Sequence, residues 1–157
     1  MKAFQSLALS VALAIAMAAP ASAATTDPEV IIYRFPGVYD DGSGPQAGNA
    51  TSFHCTNFSG NTENIRIVVR DSAGGLKSNT PFQIEHLNSR TASTHNTAIY
   101  FENQDLGTGF ITQGTAAIAA TSINVICTAV TIDAGSQSAA GFALRGIRFS
   151  PVPGSQE

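Results

Sequence analysis

From Val30 onward the chain alternates apolar and polar residues in short runs, each closed by a cluster of turn-forming residues. The clearest run is Asn64 to Arg70, where Ile65, Ile67 and Val69 share one parity and Arg66 and Arg70 the other. A period of two marks a strand with one buried face. Ser72-Ala73-Gly74-Gly75 then reads as a turn. The same reasoning predicts strands at Val30 to Phe35 (ended by Pro36-Gly37), Thr51 to Phe58, Pro81 to His86, Ala98 to Glu102, Thr115 to Ala120, Asn124 to Ile132 and Gly141 to Phe149. That makes about eight strands. Helical periodicity is sustained nowhere after residue 24, and no fixed repeat argues for a solenoid.

The last of these runs changes phase. Phe142 and Leu144 share one parity and Ile147 and Phe149 the other, so the slip falls near Gly146. A β-bulge at that glycine would return both pairs to one face. A strand buried on both faces is the alternative.

The first two dozen residues follow a different pattern. Met1-Lys2 leads into an apolar run from Leu7 to Ala19, broken only by Ser10, and then Pro20 and Ala21-Ser22-Ala23. Positive start, apolar middle and small-residue site describe a secretory leader cleaved after Ala23. The run falls short of the about 20 apolar residues that a spanning helix needs. The expected organisation is a signal peptide at 1–23 and a single β-domain at 24–157, exported to the periplasm or the extracellular space. Nothing after Ala24 is long or apolar enough to form a transmembrane segment.

Cleavage removes Lys2 and leaves seven Lys and Arg against eleven Asp and Glu, a formal net charge of −4. An acidic domain of this kind is an improbable partner for nucleic acid. Frequent Ser, Thr and Asn with β-branched residues favours strands joined by polar turns.

Cys55 and Cys127 lie inside strand candidates, in a compartment that permits oxidation, so pairing is expected. Such a bridge contributes roughly 4 kcal/mol through the entropy of the unfolded chain. Two buried thiols are the alternative. By parity Phe53 and Val125 point inward with the cysteines, which places the bridge between sheets or across neighbouring strands. The fold expected is an all-β antiparallel β-sandwich of immunoglobulin-like architecture. Two immunoglobulin hallmarks are absent: the chain has no Trp, and Val125 stands where the tyrosine corner would need Tyr.

The stretches ATSFHCTNFSGNTENIRIVVRDSAGG and ITQGTAAIAATSINVICTAVTIDA resemble those of small exported bacterial proteins of uncharacterised function with a one-disulfide β-domain. The resemblance implies export and fold and transfers no site residues.

Chemistry-bearing residues are sparse. His54, His86 and His95 have none of the spacings of zinc motifs, and Glu85 and His86, adjacent on one strand, face opposite ways. The acidic loop Tyr39-Asp40-Asp41-Gly42-Ser43-Gly44-Pro45 offers oxygen ligands for a cation such as calcium but lacks the alternation of an EF-hand loop. No GxSxG elbow and no phosphate loop occur. No catalytic, cofactor-binding or metal-binding residue is therefore assigned. The candidate interaction face is Arg66 with Arg70, roughly 13 Å apart at about 3.3 Å per residue, with Arg145 and Arg148 as additions. Arginines so placed suit carboxylates or anionic glycans. The expected function is a non-catalytic envelope or secreted interaction module, whose partner is an envelope protein or a glycan. A carbohydrate-binding module is the first alternative, using Tyr33, Tyr39, Tyr100 or Phe101 as its platform; a small secreted hydrolase is the second.

Overall fold

The computed structural model describes residues 29–100, 104–138 and 140–149. The expected leader lies outside them. Ten strands are formed: β1 (Val30–Asp40), β2 (Asn49–Asn57), β3 (Glu63–Arg70), β4 (Leu76–Ile84), β5 (Ser89–Ser93), β6 (Gln104–Asp105), β7 (Ile111–Ala120), β8 (Val125–Asp133), β9 (Gly141–Leu144) and β10 (Ile147–Arg148). They build two five-stranded sheets packed as a sandwich, the first in the order β10-β1-β7-β3-β4 and the second β6-β5-β2-β8-β9. Every pairing is antiparallel except the short β5–β6 contact.

The core is what the alternation demands. Ile65, Ile67 and Val69 of β3 are fully buried against Phe35, Phe53, Ile118 and Val125, while Arg66, Val68 and Arg70 keep the outer side. Cys55 and Cys127 are bridged, and they stand directly opposite each other on β2 and β8 with Cα atoms 4.2 Å apart. The bond therefore joins neighbouring strands of one sheet, on its inner side with the buried Phe53 and Val125.

Several boundaries depart from the pattern. β1 runs through Pro36-Gly37 to Asp40, because β10 pairs only with Tyr33 and Arg34 and leaves Pro36 on a local edge where its missing N–H breaks no ladder. A register shift and the positive φ of Gly37 absorb the irregularity. β4 begins five residues earlier than the run at Pro81, which is tolerated there because β4 is an edge strand.

Two expectations are corrected. Residues Ala98 to Tyr100 form no strand; they are bent backbone laid over the outer side of the second sheet, with the Ala98 N–H bonded to Ala134 O at 2.7 Å and the Tyr100 ring edge-on to His54 at 4.5 Å. Phe101 and Glu102 lie outside the described residues. Gly141 to Phe149 is likewise not one bulged strand, since β9 pairs with β8 in the second sheet and β10 with β1 in the first. The chain changes sheets at Arg145-Gly146. A side chain at Gly146 would collide with the Phe35 ring, so the crossing requires glycine for close approach rather than for its φ. The change of sheet also breaks the expected pairing of faces: Leu144 packs on the core, but Phe142 is 82 % exposed.

Candidate functional site

The strand directions place loops 41–48 and 71–75, the exit of β5 at 94–95, and the segments 106–110 and 134–138 at one end of the sandwich. That end is organised by two buried ionisable residues. Asp40, the last residue of β1, is in phase with buried Val38 and is 1 % exposed; His95, just beyond β5, is 7 % exposed. His95 Nδ1 lies 2.9 Å from Asp40 Oδ2, and its Nε2 lies 3.0 Å from Ala47 O. A carbonyl oxygen can only accept, so Nε2 carries a proton and donates it to Ala47. Asp40 also accepts from the Gly42 N–H at 2.8 Å and the Thr108 hydroxyl at 3.3 Å.

The pair thus clasps three segments: the β1–β2 loop through Ala47 and Gly42, the exit of β5 through His95, and the β6–β7 loop through Thr108. A recess of about 240 Å³ opens above it, lined by Asp40, His95, Thr94 and Asp105 and by glycines that include Gly42 and Gly109. Both nitrogens of His95 are committed to the clasp, which leaves neither placed to take a proton from a nucleophile.

The acidic loop divides between two tasks. Asp40 faces inward, whereas Asp41 shapes the turn, accepting from the Ser43 N–H at 3.0 Å and the Asn49 N–H at 2.7 Å. Desolvation pushes the Asp41 carboxyl up, but the hydrogen bonds from Ser43 and Asn49 outweigh it and hold its pKa below the ordinary value. The other histidines are distant from this end. His54 sits on the outer side of β2 with Nδ1 3.0 Å from Thr91 Oγ1, and His86 accepts the Gly60 N–H at the opposite end of the sandwich. Among the described residues no three His, Cys, Asp or Glu gather where they could hold a metal ion.

The arginines occupy the outer side of the first sheet. Arg66 is paired with Glu29 at 2.5 Å, and Arg70 donates to Gly74 O at 2.8 Å, closing the β3–β4 turn. The register adds Arg34, which sequence reasoning passed over. It stands opposite Ala117, which stands opposite Val68, midway between Arg66 and Arg70. Two strand spacings put Arg34 about 10 Å from β3. The three arginines frame a floor of Val68, Ala117 and Ala119. Arg148 does not join them, because it donates to Ile123 O and lies over the Tyr33 ring; Arg145 is exposed on the crossing between sheets.

Of the aromatic candidates Phe101 lies outside the described residues, and the three tyrosines are not assembled into a platform. Tyr33 is buried and stacked on Phe35, Tyr39 is half-buried and Tyr100 is set against His54. Among the described residues the exposed phenylalanine rings are instead Phe58, Phe110 and Phe142. No protein-family model, curated protein or solved structure matches the chain.

Proposed function

We propose that the protein is an exported, non-catalytic interaction module that holds an acidic partner of the cell envelope or its surroundings on the arginine-framed outer face of the first sheet. The carrying observation is the charge of that face. The five strands contain two acids, Asp40 and Glu63, and both are buried; Arg34, Arg66 and Arg70 project outward, and with Arg66 paired to Glu29 the positive charge of the face rests on Arg34 and Arg70, in a domain whose sum of charges is negative. Guanidinium groups around a small-residue floor suit carboxylates, which they bind in two-pronged fashion. Export is supported by the leader pattern of residues 1–23 and by the resemblance to exported one-disulfide proteins. A disulfide is compatible with it, and no helix among the described residues is long and apolar enough to cross a membrane. Against a hydrolase stands the commitment of both His95 nitrogens.

The test is capture of the domain of residues 24–157 by immobilised poly-glutamate and polygalacturonate, an acidic peptide and an acidic glycan. Arg34→Glu with Arg70→Glu should weaken retention at least about tenfold, and salt should weaken it in the unsubstituted protein. Arg66 is left in place because a glutamate there would meet Glu29. Retention unchanged in the double variant, with unaltered circular dichroism, rejects the arginine face; turnover in a hydrolase screen, lost on replacing His95, rejects the non-catalytic reading.

A further inference from the structure

Register exposes a second surface at the loop end, independent of the arginines. Inner-side residues of the second sheet are buried along most of its length, as Phe53, Cys55, Cys127 and Ala129 show. Two strand rows nearer the loops the inner side leaves the cover of the first sheet. Thr51 is still buried beneath β1, its hydroxyl bonded to Tyr39 O at 2.9 Å, but its neighbour Thr131 is half-exposed and Asn49, Asp133 and Phe142 are exposed. The pairing places Asn49 opposite Asp133 and Thr131 opposite Phe142, all with inner parity. The uncovered ledge therefore carries an amide, a carboxylate and a hydroxyl beside one aromatic ring. They line a recess of about 400 Å³ together with Ile132, Ala140 and Gly141.

Phe142 is the most exposed large apolar residue among those described. An uncovered ring costs solvation unless something lies on it, and its neighbours identify what would fit. A protein core would want apolar companions, whereas Asn49, Thr131 and Asp133 are hydrogen-bonding groups spaced at about 5 Å across strands and about 7 Å along them. Asp133 uses Oδ1 to accept the Gly135 N–H at 2.9 Å, and Oδ2 has no partner among the described residues. Asn49 donates its Nδ2 to Asp41 Oδ2 at 3.3 Å, and its side-chain oxygen has no partner among the described residues. A pyranose presents C–H bonds on one face and paired hydroxyls on its rim, the complement of a ring flanked by a carboxylate and an amide. The recess also falls within the volume range of small-molecule sites. We infer that the Phe142 ledge binds one ring of a neutral glycan, with the C–H face on Phe142 and hydroxyls donated to Asp133 and Asn49.

The test follows backbone amide shifts by NMR as cellohexaose, chitohexaose and maltohexaose are each added to the domain of residues 24–157. At least one should move the signals of Asn49, Asp133 and Gly141 to Leu144. Phe142→Ala should weaken that response about tenfold or more, and Asp133→Asn, which keeps the Gly135 contact, should weaken it by several-fold. Leu87→Ala, an exposed apolar residue at the far end, and the Arg34→Glu with Arg70→Glu pair should leave it unchanged. No shift with any of the three sugars, or shifts that survive Phe142→Ala, overturns the inference. Concentration-dependent dimerisation abolished by Phe142→Ala also overturns it, because the ledge would then be covered by a second copy.

Discussion

Replacing His95 by alanine measures what the clasp is worth. The substitution removes the Nδ1 contact with Asp40 and the Nε2 contact with Ala47 at a site that is almost wholly buried. A hydrogen bond to a charged group contributes about 1.5–3 kcal/mol and a neutral one about 1. The cost rises when a buried polar partner is left with nothing to bond. Asp40 would not be stranded, since the Gly42 N–H and Thr108 hydroxyl remain. The expected loss is therefore near the sum of the two bonds, about 3 kcal/mol, or roughly 10 °C in melting temperature for a domain of this length. Thermal and urea unfolding followed by circular dichroism give the number. Hydrogen exchange gives the place: the amides of Gly42 and Gln46 should exchange faster, while that of Leu87, bonded to Asn57 O at the other end, should not change. Combining His95→Ala with Asp40→Asn should cost about 1–2 kcal/mol less than the two changes summed. A loss under about 1 kcal/mol, or strict additivity, would refute the clasp as a stabilising unit.

Four further outcomes are expected. Intact mass of the exported protein should show a chain beginning at Ala24 with no free thiol; an uncleaved leader or two alkylated cysteines would contradict it. Replacing both Cys55 and Cys127 by alanine should lower stability by about 4 kcal/mol, the loop-entropy value for a sequence separation of 72, and an unchanged urea midpoint would remove the bridge from the account. Gly146→Ala, which drives a methyl into the Phe35 ring, should cost about 1–3 kcal/mol by the same assay. Asp41 has a depressed folded pKa, so its stabilisation is present above the unfolded value and is lost as pH falls through the folded one. The melting-temperature gap between the protein and Asp41→Asn should accordingly be open at pH 7 and close in strong acid; a gap that widens on acidification would show the sign to be wrong.

The strands that could be read in advance are those whose side chains meet a core on one side. Ile65, Ile67 and Val69 announce β3 because each alternate residue is buried, and Cys55 and Cys127 declare their pairing because each follows the phase of a buried neighbour, Phe53 and Val125. β5 was silent for the opposite reason. Ser89–Ser93 has no apolar alternation, and its place is set by the ladder to β2 and by hydroxyl pairs such as Ser52 with Ser93 at 2.8 Å. The site was less legible than the fold. Asp40 carried a usable signal in its phase with Val38, but its partner is 55 residues away and no local pattern names His95. Phe142 had the correct parity, and its exposure still could not be read, because it depends on where the opposite sheet stops.

What makes that ring a credible contact surface is how firmly its strand is held. Edge strands invite unwanted pairing, and this sandwich blunts most of its edges: β6 and β10 have two residues each, and β4 carries Lys77 and Pro81. β9 has no charge and no proline, so its protection must come from elsewhere. It is only four residues long, and both ends are fixed by close backbone approach. A side chain at Gly141 would strike Ile132 and Thr131, and one at Gly146 would strike Phe35. Between those two points the chain passes from one sheet to the other, so β9 cannot slide or lengthen without breaking both ladders. The same restraint that leaves a partner strand little to pair with also fixes the backbone at Phe142 before anything binds. A ring presented on such a strand gives up little backbone freedom on contact, which lowers the cost of holding a ligand on a small exposed surface.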